Sequence, residues 1–212
     1  MQSAPETLSA AKPEPHNSHP AWLRLAHWLN ALAVLVMVTS GWRIYNASPL
    51  YGFKFPNSIT LGGWLGGALQ WHFAAMWVLV FVGLFYLLFN VFGGRLSRRF
   101  FPVSPRGFFH DLWSAFHGRL GHDDIGHYNH VQRVAYLFVM LDIVVLVMSG
   151  LVLWKSVQFP LLRELMGGYD SARHVHFVAM SLLVAFIAVH LVMVALVPKT
   201  LLAMIAGHKE HV

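Results

Sequence analysis

Four histidines lie inside stretches that are otherwise apolar: His27, His72, His176 and His190. An ionisable side chain within a bilayer is costly, so each of them must be met by a ligand or a partner. His176 and His190 are 14 residues apart, close to four helical turns. One helix therefore presents both from the same face, ~21 Å apart along its axis. His174, 16 residues from His190, points almost to the opposite face, which leaves His176 as the better ligand.

His27, near the start of the first apolar stretch, shares its depth with His190. His72, at the start of the second, shares its depth with His176. Two layers of facing imidazoles result, paired His27 with His190 and His72 with His176. The chain has no cysteine, which excludes disulfides, thiolate metal sites, iron–sulfur clusters and covalent haem attachment. Two imidazoles from facing helices are how such a chain holds b-type haem, as six-coordinate iron suited to electron transfer. The axial spacing leaves room for two stacked porphyrins. His110, His117, His122, His127 and His130 read instead as a solvated loop, and His16, His19, His208 and His211 as tail residues.

The elements that must position these residues are membrane helices. The 212 residues are 57% hydrophobic and 11% charged, far from the makeup of a soluble domain. Residues 1–21 read as a disordered tail. Four apolar stretches follow at about 23–45, 70–92, 131–155 and 172–197, each near the roughly 20 residues needed to cross a bilayer. They predict an all-α, four-helix transmembrane bundle over 22–198, with a tail over 199–212. The net charge of +6 collects in loops, which fits topology better than nucleic acid. Lys and Arg are concentrated in the two tails and in the connection 93–130, which places both termini on the cytoplasmic side of a bacterial inner membrane. Trp22, Trp28, Trp42, Trp71 and Trp154 fall near span ends, as interfacial tryptophans do. Phe108–His117 has the spacing of a short amphipathic helix, or of a loop turn packed on the bundle. No internal repeat is evident beyond the glycine pairs Gly62–Gly63 and Gly66–Gly67.

Arg24 and Arg133 on the inner side, and Arg43, Lys155 and Arg173 on the outer side, are placed to meet haem propionates or to snorkel to lipid head groups. Gly41, Gly83 and Gly150 fall inside spans, where a porphyrin or a neighbouring helix can approach closely. Asp142 is the one carboxylate inside a span, either a proton relay to a reduced quinone or a structural residue.

The stretch Arg24-Leu25-Ala26-His27-Trp28-Leu29-Asn30 resembles the first-helix signature of bacterial di-haem cytochrome b membrane subunits, the type found with nickel–iron hydrogenases, formate dehydrogenases and thiosulfate reductases. Gly62-Gly63-Trp64, Gly66-Gly67 and Trp71-His72-Phe73 are similar to the second-helix entry of the thiosulfate reductase branch. Tyr128–Arg133 resembles the third-helix entry of the formate dehydrogenase type, and His176 with His190 matches the paired fourth-helix ligands. The resemblance covers roughly 22–197. It implies two haem b, a quinone pool as one redox partner, and a periplasmic subunit as the other, of molybdopterin type rather than hydrogenase because the chain begins at the His–Trp helix. It also implies a quinone pocket at Asn129, Gln132, Arg133 and Tyr136.

Three functions follow from these readings. The first is a redox subunit linking quinone to an outer-face partner. The second is a stand-alone oxidoreductase exchanging electrons between quinone and a small species such as superoxide. The third, a metal-ion channel, is opposed by the apolar gap between the two histidine layers.

Overall fold

The computed structural model describes residues 20–92, 104–116 and 130–206. Asn129, His117, His122, His127 and the two tail segments 1–19 and 207–212 lie outside them. Seven α-helices follow in order among the described residues: α1 Ala21–Ala47, α2 Leu65–Phe92, α3 Pro105–Phe116, α4 His130–Trp154, α5 Pro160–Leu165, α6 Tyr169–Leu196 and α7 Pro198–Ala206. Helices α1, α2, α4 and α6 are long and apolar enough to cross a membrane. They extend the sequence-derived spans by a few residues, most at the start of α2 and α6. Helix α3 realises the helical reading over 108–116, residue 117 lying outside the described residues, and α7 occupies part of the predicted C-terminal tail.

The bundle is made of two hairpins, α1 with α2 and α4 with α6, each closely packed within itself. The packing surfaces are small residues seven apart. Ala26, Ala33 and Ser40 of α1 and Ala68 and Ala75 of α2 are buried, as are Asp142 and Ser149 of α4 and Ala172 and Ala179 of α6. Lipid is as apolar as leucine, so membrane helices associate where small side chains let backbones approach. The large side chains point outward instead: Leu32, Leu35, Phe81, Leu141 and Val189 are all exposed, as hydrocarbon solvent requires.

The two hairpins are copies of one unit, contrary to the expectation of no repeat. Arg24, Ala26, Leu32, Val36, Val38, Ser40 and Gly41 of α1 recur 109 positions later as Arg133, Ala135, Leu141, Val145, Val147, Ser149 and Gly150 of α4. His72, Phe73, Ala75, Met76, Leu79 and Val80 of α2 recur 104 positions later as His176, Phe177, Ala179, Met180, Leu183 and Val184 of α6. Both the packing alanines and the outer histidines belong to the repeat. Its copies diverge at three telling places: His27 against Tyr136, Tyr86 against His190, and Ala33 against Asp142.

Connections on the outer side are held by specific bonds. Gly62 and Gly63 take positive φ of 105° and 70°. A Cβ on Gly62 would strike the Ala68 backbone, so this turn into α2 requires glycine. Arg43 donates to the Asn57 side chain and to the Gly63 carbonyl, tying the turn back to α1. On the inner side, α7 folds against α1 through Arg24 and Trp28, which donate to the Ile205 and Met204 carbonyls.

Ala68 and Ala172 have no exposed surface. Ala68→Leu or Ala172→Leu should push its hairpin apart and destabilise the bundle by about 1–3 kcal/mol. The reverse change at exposed Leu141, to Ala, should cost far less. Unfolding of the purified variants in mixed micelles checks the order.

Candidate functional site

Every functional side chain expected from sequence within the described residues sits on one of the four spans or at its end. His27 on α1 and His190 on α6 face each other across the two hairpins, with ring centroids 6.2 Å apart and planes inclined at 62°. Two imidazoles on opposite sides of one metal, each bonded at roughly 2 Å, have ring centres roughly 6 Å apart. The centroid separation of the inner pair is compatible with two rings that share one iron. Phe186 lies parallel to the His190 ring at 6.2 Å and Trp28 stands edge-on to His27 at 5.5 Å, so flat apolar groups flank the pair.

The outer pair is built by the repeat. Nδ1 of His72 lies 3.1 Å from Ser40 Oγ and 3.1 Å from the Met37 carbonyl oxygen. Nδ1 of His176 lies 2.9 Å from Ser149 Oγ, and the ring also bonds the Leu146 backbone. Met37 and Leu146 are equivalent positions of the two copies. A carbonyl oxygen can only accept, so Nδ1 of His72 carries the proton and donates it. The serine hydroxyls are directed elsewhere: Ser40 donates to the Val36 carbonyl at 2.6 Å and Ser149 to the Val145 carbonyl at 2.7 Å. Each serine oxygen is then an acceptor toward its histidine. Both rings are fixed as Nδ1–H tautomers whose Nε2 lone pairs are available to a metal, which is how outer partners orient ligating imidazoles.

Glycine follows each serine for a reason visible here. A Cβ on Gly41 would stand 3.6 Å from Cε1 of His72, and one on Gly150 would stand 3.4 Å from Cε1 of His176. The Ser-Gly pair therefore seats the ring closely against its own hairpin. Sequence reasoning noted Gly41 and Gly150 but missed Ser40 and Ser149; the signal was the repeated Val-x-Ser-Gly at 38–41 and 147–150. Gly83 has nothing within 4 Å of an added Cβ.

His174 does turn away from the pairs, as its spacing predicts: Nδ1 donates to the Asp170 carbonyl at 2.8 Å and the ring stands edge-on to Tyr51. His110 is exposed beside Asp111. The His130 backbone N–H donates to Asp111 Oδ2 at 2.8 Å, joining α3 to the start of α4. Among the described residues no group of three or more His, Cys, Asp or Glu forms a metal cluster, so paired histidines are the metal-binding chemistry on offer.

The cationic candidates have protein partners. Arg173 donates to the Ser48 carbonyl at 2.6 Å and reaches Asp170 at 4.0 Å. Lys155 lies 5.0 Å over the Trp154 ring. Arg24 and Arg43 hold α7 and the glycine turn, as described above. Gln132, Arg133 and Tyr136 all lie in the inner half of α4, and each is engaged in contacts of its own.

Comparison with known proteins agrees with this chemistry. Residues 18–207 match the family described as prokaryotic cytochrome b561. The chain is 64% identical over 190 residues to a putative protein-methionine-sulfoxide reductase subunit, YedZ1, of Azospira oryzae, an alignment covering 90% of this chain and 96% of that protein. It is 26% identical over 189 residues to a probable Ni/Fe-hydrogenase B-type cytochrome subunit of Cupriavidus necator, covering 81% and 75% of the two. A similar subunit of Azotobacter chroococcum is 26% identical over 196 residues, covering 84% and 79%.

A hydrogen bond from Nδ1–H makes an imidazole a stronger electron donor and favours the ferric state of iron bound at Nε2. Ser40→Ala and Ser149→Ala should each keep the haem content of the protein but raise the midpoint potential of one centre. Ser→Thr at either site, which keeps the hydroxyl, should restore it. Optical redox titration checks both. Equal potentials in all four variants would remove the serines from the site.

Proposed function

The chain belongs to the prokaryotic cytochrome b561 family, and from that premise we propose that it carries two haem b and passes electrons between membrane quinone and a periplasmic redox subunit. A b-type cytochrome of this family is a membrane electron-transfer subunit, which accounts for the four apolar helices. The observation that carries the finer reading is the pairing of intramembrane histidines in two layers on one bundle. The inner layer has a ring separation compatible with a shared iron, and the outer one is held by matching serine contacts.

Haem b supplies one-electron chemistry when bound; the chain's residues do the rest. His27 and His190 would hold the inner group, and His72 and His176 the outer. The axial separation of His176 and His190, ~21 Å, carries charge most of the way across a ~30 Å core without a mobile carrier. Apolar side chains between the layers exclude water and ions, so electrons cross while the membrane stays sealed to protons. At the outer end Trp42, Tyr45, Tyr51, Phe53, Phe55 and Phe177 form a continuous aromatic cluster over the region of the outer pair. This cluster, with the glycine turn, gives a periplasmic partner a rigid surface to dock on.

The partner we infer is a subunit that reduces methionine sulfoxide in proteins, because the relative that is 64% identical is named as a putative subunit of a protein-methionine-sulfoxide reductase; that it is of molybdopterin type rests on the resemblance read from the sequence. The electrons balance: each sulfoxide takes two electrons and two protons to give methionine and water, and one quinol supplies that pair of electrons. The hydrogenase cytochromes are more distant. Both termini on the cytoplasmic side follow from the charge bias. Arg24, Arg43, Arg133, Lys155 and Arg173 remain candidates for the propionates, and Gln132, Arg133 and Tyr136 for the quinone at the inner end, a role that rests on resemblance.

A pyridine haemochrome assay should give two haem b per chain. His27→Ala and His190→Ala should each remove the same one, and His72→Ala and His176→Ala the other. Full haem content in His190→Ala would overturn the pairing. The dithionite-reduced protein should be reoxidised by methionine sulfoxide only when the partner subunit is added; reoxidation by superoxide without any partner would favour the stand-alone oxidoreductase instead.

A further inference from the structure

Between α4 and α6 lies a cavity of about 420 Å³, lined by Phe138, Leu141, Asp142, Val145, Val178 and Leu182, with His174 at its outer end. Its rim faces lipid: Leu141 is 65% and Val178 50% exposed. Asp142 is only 6% exposed, and its Oδ2 has no hydrogen-bond partner. A buried, unsatisfied carboxyl oxygen in hydrocarbon is costly and needs an explanation.

The repeat shows that packing does not supply one. The position equivalent to Asp142 is Ala33, buried in the α1–α2 hairpin as Asp142 is in the α4–α6 hairpin. On the partner helices Ala75 and Ala179, themselves equivalent, are buried as well. Alanine is therefore sufficient to close a hairpin of this design. Of the two equivalent positions only this one carries a carboxyl, and the cavity lies beside it.

We propose that this cavity binds the head group of a membrane quinone, with the Asp142 carboxyl as the hydrogen-bond partner of a ring oxygen. The inference deepens the quinone reading above and rests on it. The volume falls within the range of small-molecule sites, and the walls are apolar with few polar groups, as such sites are built. A lipid acyl chain would fill apolar walls but has no use for a carboxyl. A quinone does, in both redox states: a protonated carboxyl donates to a quinone carbonyl, and an ionised one accepts from a quinol hydroxyl. His174 adds a second polar end. Its Nδ1 is committed to the Asp170 carbonyl, so Nε2 is the ring's acceptor, about one and a half turns, roughly 7 Å, from the level of Ala179. The lipid-facing rim gives a tailed ligand access without passing through water. This place is distinct from the inner-end residues, since Tyr136 lies six residues from Asp142, roughly 9 Å along α4 and about 120° around it.

The haem-loaded chain in nanodiscs of phosphatidylethanolamine and phosphatidylglycerol, exposed to a photoreactive azido-ubiquinone, tests this. Adducts should map to the segments 138–145 and 175–182. Competition by decyl-ubiquinone should give a Kd about tenfold weaker in Asp142→Ala, the loss expected of one hydrogen bond to a carboxyl group. Asp142→Asn, which keeps a donor and an acceptor, should lose less, and Leu182→Trp at the rim should reduce labelling without changing the haem spectrum. Unchanged binding in Asp142→Ala and Leu182→Trp, or a loss confined to Tyr136→Phe, would overturn the site. So would a change of oligomeric state in Asp142→Ala with quinone binding intact, which would mark the groove as a helix-docking surface. Absence of saturable quinone binding in the unmutated protein with both haems present would instead defeat the quinone reading itself.

Discussion

A hydrogen-bonding group in hydrocarbon has no water to turn to, and that constraint organises this bundle more than any apolar contact does. The outer histidines show how it is met. Each ring is satisfied by a serine oxygen and a backbone carbonyl one turn away, and each serine hydroxyl is satisfied by a carbonyl of its own helix. The chain of donors and acceptors ends at a single free valence, Nε2, which is the atom a metal needs. Packing follows from the same geometry. The helices must come close enough for a serine on one to reach a histidine on the next, so the residues at their crossings are alanine, serine and glycine, and bulk is displaced to the lipid face.

The four spans and the four histidines were legible in the sequence because both signals are local. A span is a run of apolar residues, and a charged or polar exception stands out within it. The 14-residue spacing of His176 and His190 needed only the helical period. Ser40 and Ser149 were not legible in that way, since a serine in a membrane helix usually bonds its own backbone, as these also do; only their proximity to His72 and His176 reveals a second role. The repeat escaped notice for a related reason. Its two helices recur at different offsets, 109 and 104, because the connections between them differ in length. Asp142 was visible as an intramembrane carboxylate, but the cavity beside it exists only once α4 and α6 are side by side. The arginines were legible as charges near the interfaces, yet the structure engages Arg24, Arg43 and Arg173 in holding helix ends and turns.

Membership of a cytochrome family gives the redox chemistry, while the bundle explains why that chemistry can be vectorial. One helix, α6, carries both His176 and His190, so the two centres proposed above would be fixed relative to one another by an uninterrupted ladder of backbone hydrogen bonds.

The duplicated hairpin has a geometric consequence. His72 and His176 are equivalent positions of the two copies, so a centre shared by them would lie on the pseudo-twofold axis that exchanges the copies. The inner pair would not: it takes His27 from the first helix of one copy and His190 from the second helix of the other, and the remaining two equivalent positions hold Tyr86 and Tyr136. A centre held by His27 and His190 would thereby be displaced to one flank. Viewed along its axis, a bundle that would otherwise look alike from opposite sides would then have a front and a back, and at that depth a carrier drifting in the bilayer would meet a redox centre on one side and the positions of Tyr86 and Tyr136 on the other.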